Sequence, residues 1–120
     1  MLSRLASEFA AEIHNHDWSD AHERLDRAGH RREHDRGSAG LETLSPDQTD
    51  RVRTNVMWVT AQVLKHADPN LDLHEYAAAC GVPRSITHRR SDGKPSGAID
   101  AGIRFDEHGR AVRPPVEDQE

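Results

Sequence analysis

Apolar residues recur every three or four positions at the start of the chain, at Leu2, Leu5, Ala6, Phe9, Ala10 and Ile13, with Glu8 and Glu12 between them. That spacing predicts an amphipathic helix over residues 2–15. A second helix is predicted from about Trp18 to Asp35, with Asp17 or Ser19 able to cap it. Its apolar stripe (Trp18, Ala21, Leu25, Ala28) is narrow, so most of its surface is solvated or covered by something else. Residues 36–44 hold two glycines and read as a linker. Ser45-Pro46-Asp47-Gln48 then combines a capping Ser, a Pro at the first helical position and a Gln reaching back from the third. The helix it starts carries Val52, Val56, Val59 and Val63 on one face, flanked by Met57, Leu64 and Ala67, and ends at Asp68-Pro69. With Trp58 beside it, that face is the predicted centre of the core.

Further on, a short helix runs from Leu73 to Cys80 and stops at Gly81, the usual residue for a left-handed cap. Another short helix starts after Pro83. Asp92-Gly93 and Pro95-Ser96-Gly97 are turn chemistry. Ile103-Arg104-Phe105 and Arg110-Ala111-Val112 flank Asp106-Glu107-His108-Gly109, a pattern that predicts a β-hairpin. Residues 113–120 read as a disordered acidic tail. No internal repeat is found. The expected fold is mainly α: a small domain of four to five helices with a helix-turn-helix-like corner and a C-terminal β-hairpin. It spans 1–112, with an N-terminal helical pair over 1–36 and the corner and hairpin within 45–112.

Composition narrows this picture. Apolar residues make up 34% of the 120, and Leu, Ile, Val and Phe together number only 21, so the expected core is thin. Either part of the chain stays unfolded or folding is completed against a partner or a second copy. Charge is nearly balanced at 16 basic and 21 acidic residues, net −5, which excludes a strongly basic protein but not a local basic patch. Lys65 and Lys94 are the only lysines; with the abundant Ala, this Arg bias fits a GC-rich coding sequence. Cys80 is the only cysteine, so no intramolecular disulfide forms, and nothing here suggests an oxidising compartment. Apolar runs such as Val56 to Val59 fall far short of a membrane span, and the acidic N-terminus does not fit a secretory signal. A cytoplasmic location is expected.

The most function-like segment is Leu73 to Arg90: helix, Gly81-Val82-Pro83, helix, with Ala77 four residues before the glycine. A small residue there lets two short helices cross closely, as a helix-turn-helix requires. The second helix would present Arg84, Ser85, His88, Arg89 and Arg90, with Lys94 just beyond, all able to reach phosphates or base edges. Over 84–94 the balance is positive while the whole chain is negative. Ile86 and Thr87 fill only half well the apolar slots expected past the glycine, and an ordinary helical corner with a basic edge is the bland alternative.

Histidines number nine, and His22, Asp26, His30 and His34 would line one helix face. Two His at that spacing can chelate a divalent metal, but a third convergent ligand and a sheltered pocket are wanting. No metal or other cofactor is expected; a solvated, pH-sensitive face is the better reading. Cys80, between Ala79 and Gly81, reads as a small packing residue. Trp18 and Trp58 lie on apolar stripes and are core residues or anchors for a partner. Gly93-Lys94 lacks the preceding glycine and strand of a phosphate loop.

The runs His16-Asp17-Trp18-Ser19-Asp20-Ala21, Asp26-Arg27-Ala28-Gly29-His30, Asn55-Val56-Met57-Trp58-Val59 and Ala79-Cys80-Gly81-Val82 resemble small proteins encoded by phages of actinobacteria. The resemblance spans roughly residues 1–105. It implies a phage protein acting in the host cytosol on host or phage DNA, or on a host protein, and carries over no catalytic residues. The expected function is therefore non-catalytic: a small DNA-binding regulator, or alternatively a protein-interaction module that binds or inhibits a host protein or self-assembles, a homodimer included. A metal-assisted hydrolase through His22, His30 and His34 is the least favoured reading.

Overall fold

The computed structural model describes residues 1–23, 25 and 42–116. Among the described residues five helices follow in order: α1 (Arg4–Asn15), α2 (Pro46–Ala67), α3 (Leu73–Ala79), α4 (Arg84–Thr87) and α5 (Ala98–Ala101). None is long and apolar enough to cross a membrane. The chain is mainly helical, as its periodicity predicts.

α1 starts where Ser3 Oγ accepts from the Ala6 N–H at 3.2 Å and buries Ala6, Ala10 and Ile13. These repeat at the spacing of one helix face. Leu5 and Phe9, expected on that face, stay 57% and 40% exposed. α2 carries the capping box read from the sequence: Ser45 Oγ accepts from the Gln48 N–H, and Gln48 Oε1 accepts from the Ser45 N–H.

α2 turns a different side inward from the one the valines suggest. Thr54, Met57, Ala61 and Leu64 are buried along with Gln62, while Val59 and Val63 are 71% and 52% exposed. Val52 and Val56 are half-buried. The reason lies in what packs there. α1 and α3 lie against α2, and the fully buried Ala61 and Ala77, with Ala6 and Ala10, let the three helices approach closely. A thin supply of large apolar residues thus still closes a core, around Met57, Tyr76, Cys80 and Ile99, all fully buried.

The expected helix from Trp18 is absent over its first residues. Trp18 to Glu23 form turns, with Ala21 N donating to Trp18 O and Glu23 N to Asp20 O. Local side-chain bonds compete with the helix here: Asp17 accepts from both the N–H and the hydroxyl of Ser19, and the Trp18 indole donates back to Ile13 O. The rest of that segment, apart from Leu25, and the linker up to residue 41 lie outside the described residues, as do residues 117–120 of the expected acidic tail.

The expected C-terminal hairpin is also corrected. Its turn stands where predicted: Asp106 accepts from the backbone of His108 and Arg110, and Gly109 has φ +77°. The flanking segments, however, meet only in one isolated antiparallel bridge, Phe105 to Ala111. A row on α2 takes up the backbone groups a ladder would have used. Gln62 binds Arg104 and Val112, and His66 Nδ1 lies 3.0 Å from Ala111 O. Trp58 donates to Ile99 O in α5, a helix the turn-rich sequence did not predict. Gly102 lies under the Trp58 indole, where a Cβ would come within 2.3 Å of the ring.

Candidate nucleic-acid interface

The corner between α3 and α4 is built from sequence features that can be followed bond by bond. Asp72 caps α3 by accepting from the His74 and Glu75 N–H groups. At the other end Val82 N donates to Ala77 O and Gly81 N to Ala78 O, the bond pair of a Schellman motif with Gly81 at φ +89°. The His14 ring packs so close to Gly81 that a Cβ there would lie 2.5 Å from it. Pro83 then opens α4.

α4 is a single turn of four residues. A recognition helix of several turns, as the helix-turn-helix reading would place in a groove, does not form among these residues. The chain instead folds back at once. Arg89 N donates to Lys94 O, Gly93 N to Arg89 O, and Ser96 N to Thr87 O. His88 and Pro95 form an isolated bridge, and the Ser96 hydroxyl donates to Ile86 O at 3.0 Å. Residues 88–96 are thereby pinned to α4 as a closed loop, with Gly93 at φ +69° at its tip.

This loop gathers the residues singled out in the sequence. Arg84, Ser85, His88, Arg89, Arg90 and Gly93 line one open depression of about 400 Å³. Lys94 is exposed beside it and gives the loop its backbone bonds rather than its wall. The charges are not equivalent. Arg89 makes two bonds to Asp92, at 2.7 and 3.1 Å. Arg84, Arg90 and Lys94 form no ion pair among the described residues. The Lys94 N–H and then the Arg89 guanidinium hold the Asp92 carboxyl below its usual range.

His88 lies between the depression and α3. Thr87 Oγ1 is 2.7 Å from its Nδ1, and the His74 ring approaches edge-on with centroids 6.4 Å apart. Burial, then Arg84 and then His74 push its pKa below 6.5. His74 Nδ1 is itself buried with no hydrogen-bond partner.

Elsewhere the expected site residues scatter. His22 sits in a turn, 3.4 Å from Glu23, while Asp26, His30 and His34 lie outside the described residues. Among the described residues no group of three side chains is placed to hold a metal. Cys80 is fully buried, and burial pushes its thiol up to about 11; burial likewise raises Tyr76, whose hydroxyl lies 2.7 Å from Thr60 Oγ1. Trp18 stacks at a tilt on His16, with centroids 4.1 Å apart. Trp58 faces the C-terminal segment and borders a shallow groove with Val59, Val63, Gly102 and Pro114. That groove escaped the sequence reading, because the same valines were assigned to the core.

Compared with protein-family models, with curated proteins and with solved structures, the chain matches none. The resemblance to actinobacterial phage proteins therefore rests on the sequence alone.

Proposed function

We propose that this chain is a non-catalytic binding protein whose corner at residues 84–94 contacts the phosphates of double-stranded DNA. The observation that carries this reading is the shared depression. Arg84, Arg89 and Arg90 converge on it with Ser85 and His88, in a chain whose overall net charge is −5. A polyanion approaching such a molecule is repelled by most of its surface and drawn to this corner.

The dimensions favour phosphate contact over base reading. A four-residue helix is about 6 Å long at 1.5 Å per residue. It cannot lay a multi-turn face along the major groove, where base edges are read. Guanidinium groups at its tip suit backbone contacts, which position a protein without specifying sequence.

Fluorescence anisotropy with generic duplex DNA tests this. Neutralising two or three phosphates predicts an affinity loss of roughly 10- to 40-fold between about 50 and 200 mM salt. Arg84→Ala/Arg90→Ala, which removes two cations without an ion pair, should abolish most of the binding and flatten the salt slope. Undetectable binding at the lower salt, or binding indifferent to that double substitution, refutes the reading.

A second reading, a protein-interaction module, is favoured by the outer face of α2, where Val59 and Val63 are exposed beside Trp58 and Pro114. A host protein or a second copy of the chain is the candidate partner. Sedimentation velocity across a concentration series, with Val59→Asp alongside, separates self-association from a strictly monomeric chain.

A further inference from the structure

We propose that anion binding at this corner is proton-linked through His88: a phosphate held in the depression favours the imidazolium, so affinity rises as pH falls. The inference rests on the phosphate-binding reading above and adds its regulation.

The geometry behind it is local. His88 is part of the wall of the depression, alongside Arg84, Arg89 and Arg90. An anion entering therefore meets the imidazole together with the guanidinium groups. The Thr87 hydroxyl, at 2.7 Å from Nδ1, can serve either charge state. It donates to Nδ1 of the neutral ring, and it accepts from Nδ1–H of the charged ring. Protonation thus breaks no hydrogen bond, and Nε2–H is available in both states. Thr87 is buried, which fixes the ring's anchor.

The groups around His88 decide the direction. From α4, Arg84 opposes its protonation, and from α3 so does His74. From its own loop, Arg89 and Arg90 line the same wall, and the nearby Asp92 carboxylate is engaged by Arg89 and the Lys94 N–H. On the far side, α5's Asp100 borders a different depression with His74, Lys65 and Asp72. An empty corner is thus crowded with like charge and keeps His88 neutral near pH 7. A bound phosphate reverses the sign of the local field, since an opposite charge within a few ångströms favours the ionised form. One proton is then taken from solvent as the anion binds, and by linkage protons and anion each raise the other's affinity.

The test uses the full chain and a fluorescein-labelled generic duplex at a fixed salt of about 50 mM. Wild type should bind roughly fivefold more tightly at about pH 5.5 than at about pH 7.5, the effect of one added charge at the site. His88→Gln, checked for folding by circular dichroism, should lose most of the gain at the lower pH, so that its affinities at the two pH values differ far less than those of wild type, whatever its affinity at the higher pH. In parallel, the His88 ring is titrated by NMR in the wild type, where folding of a variant is not at issue; its pKa should rise when duplex saturates the protein. A wild-type affinity that ignores pH, a full pH response kept in His88→Gln, or a His88 pKa unmoved by duplex each overturns the proton link and leaves the phosphate site standing. No duplex binding at either pH removes the site and the link together.

Discussion

Gln62 satisfies three backbone groups with one amide: it accepts from Arg104 N at 2.9 Å and donates to Arg104 O and Val112 O at 3.1 and 2.9 Å. It is buried at 5% exposure, and its loss leaves Arg104 N and Val112 O without that partner, while Arg104 O keeps the Val112 N–H. Gln62→Leu keeps the approximate size but none of the bonds, and it should cost about 2–4 kcal/mol in urea unfolding; a cost below about 1 kcal/mol would mean the segment is held by other contacts. Asp92 is the corresponding residue at the basic corner, where it occupies Arg89. Asp92→Asn keeps an oxygen for the Lys94 N–H but releases the guanidinium. Duplex affinity at low salt should rise about two- to fivefold, the scale of an exposed ion pair. Anisotropy titration reads this directly, and unchanged or weaker binding would show that Arg89 plays no part.

At the scale of elements, the helices legible in the sequence are those whose ends are written in local chemistry. Ser45-Pro46-Asp47-Gln48 starts α2 and Gly81 stops the turn after α3, because caps need only neighbours in the chain. The core face of α2 was misread because two stripes compete on it. Val52, Val56, Val59 and Val63 are the more hydrophobic set, yet the close approach of α1 and α3 selects the face with Ala61 and Met57. The hairpin failed for a related reason: Gln62 and His66 meet its backbone groups from a helix 40 or more residues away, a distance over which alternation carries no signal. Likewise the basic residues of the corner were legible as a cluster, but the loop that closes them into one depression was not. Paired substitutions check the face assignment. Met57→Ala, fully buried, should cost about 2–5 kcal/mol, whereas Val59→Ser should fall within about 0.5 kcal/mol of wild type. Equal losses in thermal unfolding would return Val59 to the core.

For the molecule as a whole, the same groups proposed to govern anion binding also tie stability to pH, with opposite consequences. The folded state holds His88 below its ordinary value of 6.5, so the unfolded chain binds more protons in the window beneath it. Stability from His88 neutrality is therefore present above 6.5 and is lost as pH falls toward the folded value. Asp92, held below 3.8, adds a second and separate loss only at more acidic pH. Acid thus weakens the empty protein in the same pH range where the proposed proton link would tighten anion binding. A ligand that binds only the folded chain stabilises it by mass action, and one that also favours the imidazolium offsets part of the acid loss. Thermal melts from pH 7.5 to pH 5 should show wild type losing more stability than His88→Gln, the difference isolating this residue from the other histidines. Saturating duplex should narrow that difference. If wild type and His88→Gln fall in parallel, the crowding of His88 by Arg84 and His74 carries no weight in the folded state, and the corner is a static cluster of charge.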